Sequence, residues 1–108
     1  MKRKKLQPIH PGEILLKEFL QPFAISQYRL AKDIYVPPRR INEIIHGTRS
    51  ITTDTAFRLA KYFNTTPQLW IGLQTQFEIE TYKDSTGDAI TKKIKTLNHD
   101  CLNHEERI

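Results

Sequence analysis

A single cysteine, Cys101, stands in 108 residues, so no intrachain disulfide can form and the fold must rest on its core. That usage suits a reducing cytosol, and the expected location is cytoplasmic. Long apolar runs are missing too. No segment approaches the roughly 18 apolar residues of a membrane span, and no membrane partner is expected. The cationic start MKRKK is not followed by the apolar stretch of a signal peptide, because His10-Pro11-Gly12 intervenes. There is no glycine-rich phosphate loop and no nucleophile beside an activating base, which argues against catalysis. His99, Asp100, Cys101 and His104 come nearest to a metal set, but their offsets share no helical face and a fourth ligand is lacking. Neither a metal nor a cofactor is expected.

What is present is a basic chain with 38% hydrophobic residues, enough for one domain with one core. The net charge of +5 is uneven. Lys2, Arg3, Lys4 and Lys5 make residues 1–9 a basic arm, expected to be flexible. Between Ser26 and Ser50, Arg29, Lys32, Arg39, Arg40 and Arg49 outnumber Asp33 and Glu43, whereas residues 51–80 are mildly acidic. A clustered basic footprint supplies salt-dependent affinity for phosphates.

The most informative stretch is QYRLAKDIYVPPRRINEII, Gln27 to Ile45. It predicts two short helices joined by a tight turn. The first runs from about Gln27 to Ile34 with Ser26 as its N-cap, placing Leu30, Ala31 and Ile34 on one face. Pro37 and Pro38 open the second, where a missing N–H costs nothing, and Gly47 closes it. Ile41, Ile44 and Ile45 point inward, leaving Arg39, Arg40, Asn42 and Glu43 on the open side. Ala31, four residues after Gln27, gives the second helix room to cross, and Ile41 and Ile44 return to the core fourteen and seventeen residues after it. This is the pattern of a helix-turn-helix (HTH) that reads DNA. One position departs from it. The turn usually wants a positive φ and hence glycine, but Tyr35 stands there, at a cost of roughly 1 kcal/mol or more.

Three further helices are predicted around this pair. Pro11 starts the first, with Ile14, Leu15, Phe19 and Leu16 as its apolar stripe, and Pro22 ends it. Thr53 marks the start of a fourth, with Asp54 in its first turn, Ala56, Leu59, Ala60 and Phe63 facing inward, and Asn64 at its end. Thr66 and Pro67 cap a fifth that carries Leu69, Trp70, Leu73 and Phe77. The expected fold is all-α, a five-helix domain of lambda-repressor type over residues 10–82. Residues 83–108 read as a tail: a polar break at Asp84-Ser85-Thr86-Gly87-Asp88, a short helix over about 89–97 carrying Ala89, Ile90, Ile94 and Leu97, and a frayed end from Asn98 to Ile108.

HPGEILLKEFL (His10 to Leu20), SQYRLAKDI (Ser26 to Ile34), VPPRRINEIIHGTRSIT (Val36 to Thr52), DTAFRLAKYF (Asp54 to Phe63) and TPQLWIGLQTQFEIE (Thr66 to Glu80) resemble HigA-type antitoxins. These are Xre-like HTH repressors encoded beside a HigB, RelE-like ribonuclease toxin. The resemblance covers about residues 9–82, and the joint presence of the HPGEIL and VPPRRINEI blocks is specific. It implies repression of the chain's own operon and neutralisation of a toxin by binding. Two rival readings stay open: a free-standing Xre-like regulator without a toxin partner, and an adaptor that has kept the fold but not the DNA affinity.

For an operator of double-stranded DNA, Pro38, Arg39, Arg40, Asn42 and Glu43 are the candidates to meet bases or the groove. Arginine matches guanine bidentately, Asn42 could pair with adenine, and Glu43 could accept from cytosine or orient an arginine. Ser26, Gln27 and Arg29, at the start of the first HTH helix, and Thr48, Arg49 and Ser50, after the second, are the phosphate candidates. Leu69, Trp70, Leu73 and Phe77 exceed what one core-facing stripe needs, which suggests a homodimer seam. A ribonuclease partner should be basic, which singles out the acidic Glu13, Glu18, Glu78 and Glu80. His10 reads as a capping or loop residue, and His46 as a helix-end residue favoured by the dipole.

Overall fold

The computed structural model describes residues 7–97. The basic residues Lys2 to Lys5, the end from Asn98 to Ile108, and with it His99, Asp100, Cys101 and His104, lie outside the described residues. His10 caps the first helix: its Nδ1 accepts the Gly12 backbone N–H at 2.9 Å, while Pro11, having no N–H, needs no partner. α1 (Pro11–Ile14) then widens into a π-helical stretch, Leu15–Leu20. There the Gln21 N–H closes on the Leu16 carbonyl five residues back. In a regular α-helix Leu20 would stand roughly 140° from Leu15. The wider turn brings them toward one face, and both are buried.

α2 (Gln27–Asp33) starts at Ser26, whose Oγ accepts the Arg29 N–H at 3.0 Å. It buries Leu30 and Ala31 and ends at Ile34. Tyr35 then takes φ 61°, so the turn keeps the left-handed conformation usually given to glycine. The chain doubles back there, and the Val36 N–H bonds to the Ala31 carbonyl at 3.0 Å. α3 (Pro38–Ile45) follows, with extended Pro37 as its N-cap and Pro38 in its first turn. Ile41 and Ile44 are fully buried, and Ile45 packs against the same core at partial exposure. At its end Gly47 has φ 81°, its N–H meets the Ile44 carbonyl, and the Thr48 N–H meets that of Glu43. These paired closures form a Schellman motif, as the Gly47 position predicts.

α4 (Thr53–Phe63) starts at Thr53, as expected, and is capped by Thr52 through a 3.3 Å bond from the Thr55 N–H to its Oγ1. Asn64, at φ 58°, ends it. α5 (Pro67–Tyr82) begins at Thr66. The core gathers Leu15, Leu20, Leu30, Ile41, Ile44, Leu59 and Trp70 around these five helices. No strand occurs among the described residues.

Three expectations need correction. The polar segment expected to break the chain does not: α5 passes into a π-helical stretch, Lys83–Gly87, and on into α6 (Asp88–Lys93). None of these residues is proline, so none removes a backbone donor or clashes with the preceding turn, and polarity alone did not end the helix. The last helix also stops four residues before Leu97, at Lys93, leaving Ile94 and Leu97 exposed beyond it. Finally, Trp70 has no accessible surface to offer a seam. It fills the core, with Nε1 donating to Thr65 Oγ1 at 2.9 Å and its ring 4.9 Å from that of Phe19.

Candidate nucleic-acid interface

α3 presents its first turns to solvent because its other face is fixed by Ile41 and Ile44. Arg39 is the most open of the group, its side chain 84% exposed. Its Nε donates to Glu43 Oε2 at 2.9 Å, one turn along. Arg49, in the loop after α3, reaches back to the other oxygen of the same carboxylate, Nε to Oε1 at 2.8 Å. Glu43 therefore joins two guanidiniums from different segments. The hydrogen bonds from Arg49, and then from Arg39, hold its carboxyl below the usual carboxylate range. With both oxygens occupied, Glu43 is placed to orient the arginines.

Arg40 points elsewhere. Its Nη1 meets Asp54 Oδ2 at 2.9 Å, and the same carboxylate oxygen accepts Arg58 Nε at 3.0 Å. Arg58, first, and Arg40 hold the Asp54 carboxyl low as well. Arg40 thus ties α3 to α4, and only 29% of its side chain is exposed.

Asn42 faces α2, where its Nδ2 donates to Gln27 Oε1 at 3.3 Å. Gln27, Tyr28, Pro38, Arg39 and Asn42 line an open concavity of about 470 Å³ between the starts of the two HTH helices. Ser26 and Arg29 lie at that same end, with Arg29 Nε 3.4 Å from Asp33 Oδ2. On the far side, Thr48 Oγ1 bonds to the Glu43 carbonyl at 3.2 Å, and Ser50 Oγ accepts Gln74 Nε2 at 3.4 Å. The groove and phosphate candidates thus fall into two groups flanking α3, with Arg40 drawn back toward α4.

Gln74, Tyr28 and Arg58 are not singled out by the sequence, and Asp54 only as a first-turn residue of α4. Gln74 is nearly buried in α5, and its Oε1 accepts the Ile51 N–H at 2.9 Å, which fixes the loop carrying Arg49 and Ser50. Its place four residues after Trp70, on the core face, was the available signal. Tyr28 is two-thirds exposed on α2.

On the acidic candidates, Glu13 pairs with Lys17 at 3.1 Å, Glu78 accepts Gln74 Nε2 at 2.9 Å, Glu80 accepts from Gln76, and Glu18 is exposed. They lie on α1 with its π extension and on the second half of α5. Along α5, Leu69 is 39% exposed, Leu73 and Phe77 are half-buried, and Ile79 is 57% exposed. His10 stacks edge-on against Phe77, ring centres 4.8 Å apart. His46 Nδ1 lies 2.8 Å from the Asn42 carbonyl at the end of α3. No helix among the described residues is long and apolar enough to cross a membrane.

Residues 16–70, from the π-helical stretch of the first helix to Trp70, match the sequence profile of the helix-turn-helix family. The chain belongs to the Xre-like helix-turn-helix family. It is 45% identical over 78 residues to virulence-associated protein I of Dichelobacter nodosus, covering 72% of each chain. Its fold is similar to that of the antitoxin HigA of Pseudomonas aeruginosa, solved with the higBA promoter. That likeness has a TM-score of 0.81 and 41% identity, over 84% of this chain and 99% of the other. A HigA-family addiction module antidote protein from Coxiella burnetii is equally similar, with TM-score 0.81 and 42% identity over 85% of this chain and all of that one. The resemblance to HigA-type proteins seen in the motifs therefore extends to the three-dimensional fold.

Proposed function

We propose that this HTH protein is a sequence-specific DNA-binding repressor and the antitoxin of a type II pair, binding a palindromic operator as a homodimer and neutralising a RelE-like ribonuclease toxin. One observation carries the DNA reading: Arg39 and Arg49, from the recognition helix and the loop after it, are braced on a single carboxylate at the open face of α3. Fixed cations at that place combine base-edge reach with phosphate affinity. Arg39, Asn42 and Pro38 enter the groove. Ser26, Gln27, Arg29, Thr48, Arg49 and Ser50 set the register on the phosphates, and Glu43 and Arg40 position their neighbours. The similarity to an antitoxin solved with its promoter supports the same reading. Leu69, Leu73 and Phe77, spaced four residues apart along one side of α5, form the dimer seam, and Trp70, which is fully buried, belongs to the core instead. The protein works in the cytoplasm, where both operon and toxin are.

The antitoxin role is tested by co-expressing the chain with the short reading frame beside its own gene. Relief of growth arrest and co-purification of the two products are expected. If the neighbouring product neither arrests growth nor co-purifies, the chain is a free-standing regulator. Leu69→Glu checks the seam, and folded monomers should result; a persisting dimer would place the interface elsewhere.

A further inference from the structure

Tyr28 is an aromatic residue with little to pack against. It stands 67% exposed in the first turn of α2, a position that contributes nothing to the core, since Leu30 and Ala31 supply that face. Beside it in the concavity between the two HTH helices lies Pro38, the first residue of α3. A phenol ring and a pyrrolidine ring thus form an apolar wall, while Gln27 and Asn42, joined at 3.3 Å, supply amide groups beside it. The charged flanks of this site account for phosphates, and amides account for base-edge hydrogen bonds. Neither explains an apolar wall held open to water at the mouth of the groove.

Only one base presents an apolar group in the major groove: thymine, through its 5-methyl. Resting on the DNA-binding reading above, we infer that Tyr28 and Pro38 form a specificity niche for a thymine methyl, so that part of the sequence preference is read by α2 as well as by the recognition helix. The niche selects thymine over cytosine, which has no methyl, and over the purines, whose edges there are polar. Phosphate contact through the Tyr28 hydroxyl is the rival role for this residue.

The probe is a duplex selected from a random library by the full-length chain, in which each thymine is replaced in turn by deoxyuridine, removing only the methyl. At one thymine per half-site the replacement should weaken wild-type binding about four-fold, the worth of one buried methyl group. Tyr28→Ala should bind the thymine and deoxyuridine duplexes equally, while Tyr28→Phe, which keeps the ring, should retain the four-fold difference. Circular dichroism should show both variants folded, since the side chain is exposed. The niche is refuted if no thymine methyl matters, if Tyr28→Phe loses the four-fold difference although the ring is kept, or if Tyr28→Ala keeps the wild-type ratio while weakening both duplexes, which would assign the residue to a phosphate. Should the chain select no duplex at all, the DNA-binding reading fails, and this inference with it.

Discussion

Arg58 reaches from α4 to the end of α2, where its Nη1 donates to the carbonyl oxygen of Ile34 at 2.7 Å. A second, longer bond runs from the same nitrogen to the Tyr35 carbonyl at 3.4 Å. The guanidinium therefore caps α2 at the point where the chain turns left-handed, and through Asp54 it also meets Arg40 of α3. One side chain of α4 is thereby connected to both helices of the HTH and to the strained residue between them. A turn that lacks glycine is held by its surroundings.

Tyr35 pays for that conformation with little in return, because its side chain is 86% exposed. A left-handed backbone costs a non-glycine residue about 1–2 kcal/mol, part of which glycine gives back through its freer unfolded chain. Tyr35→Gly should raise stability by up to about 1 kcal/mol in urea unfolding. A clear loss of stability would mean that the exposed ring has a packing role.

Gly12 is where α1 meets the end of α3. A Cβ built there would lie 1.8 Å from the Ile44 carbonyl oxygen, and the obstacle is backbone on both sides. Gly12→Ala should cost about 3 kcal/mol, the upper part of the range for overpacking, because neither helix can yield as a side chain would. Thermal unfolding would show it, and a variant as stable as the wild type would contradict this close approach.

His10 makes the protein's stability depend on pH. Burial holds its imidazole below the ordinary value near 6.5, and capping requires Nδ1 to be an acceptor, hence an unprotonated nitrogen. The unfolded chain then binds the proton more readily than the folded one, so stability rises with pH across that interval. The contribution is complete above about pH 6.5 and is lost as pH falls through the lower, folded-state value. His10→Asn keeps a capping oxygen and does not titrate. Unfolding followed from pH 7.5 to 5 should show the wild type losing more stability than this variant; parallel curves would exclude His10 as the cause.

The HTH was legible in the sequence because its signals are local: Ser26 as a cap, two prolines opening α3, Gly47 closing it, and isoleucines at helical spacing. Each of those residues acts within a few positions of itself. What escaped was set by distant partners or by hydrogen-bond register. Gln74 meets a loop N–H 23 residues away, and Arg40 meets Asp54 14 residues on, pairings that no local pattern announces. The π-helical register of Leu15–Leu20 leaves no mark in an apolar pattern that suits an α-helix nearly as well. Trp70 shows the limit of counting apolar residues on a helix, since a surplus on α5 does not reveal which member fills the core.

The central claim, that the open face of α3 reads DNA while the loop after it grips the backbone, is tested most directly by comparing Arg39→Ala and Arg49→Ala on a selected duplex and on a scrambled one across a salt series. Arg39→Ala should lose about 1–3 kcal/mol on the selected duplex and far less on the scrambled one. Arg49→Ala should weaken both alike and lower the salt slope by about 1. Wild-type affinity for the selected duplex in the Arg39→Ala, Arg49→Ala double variant would contradict the account.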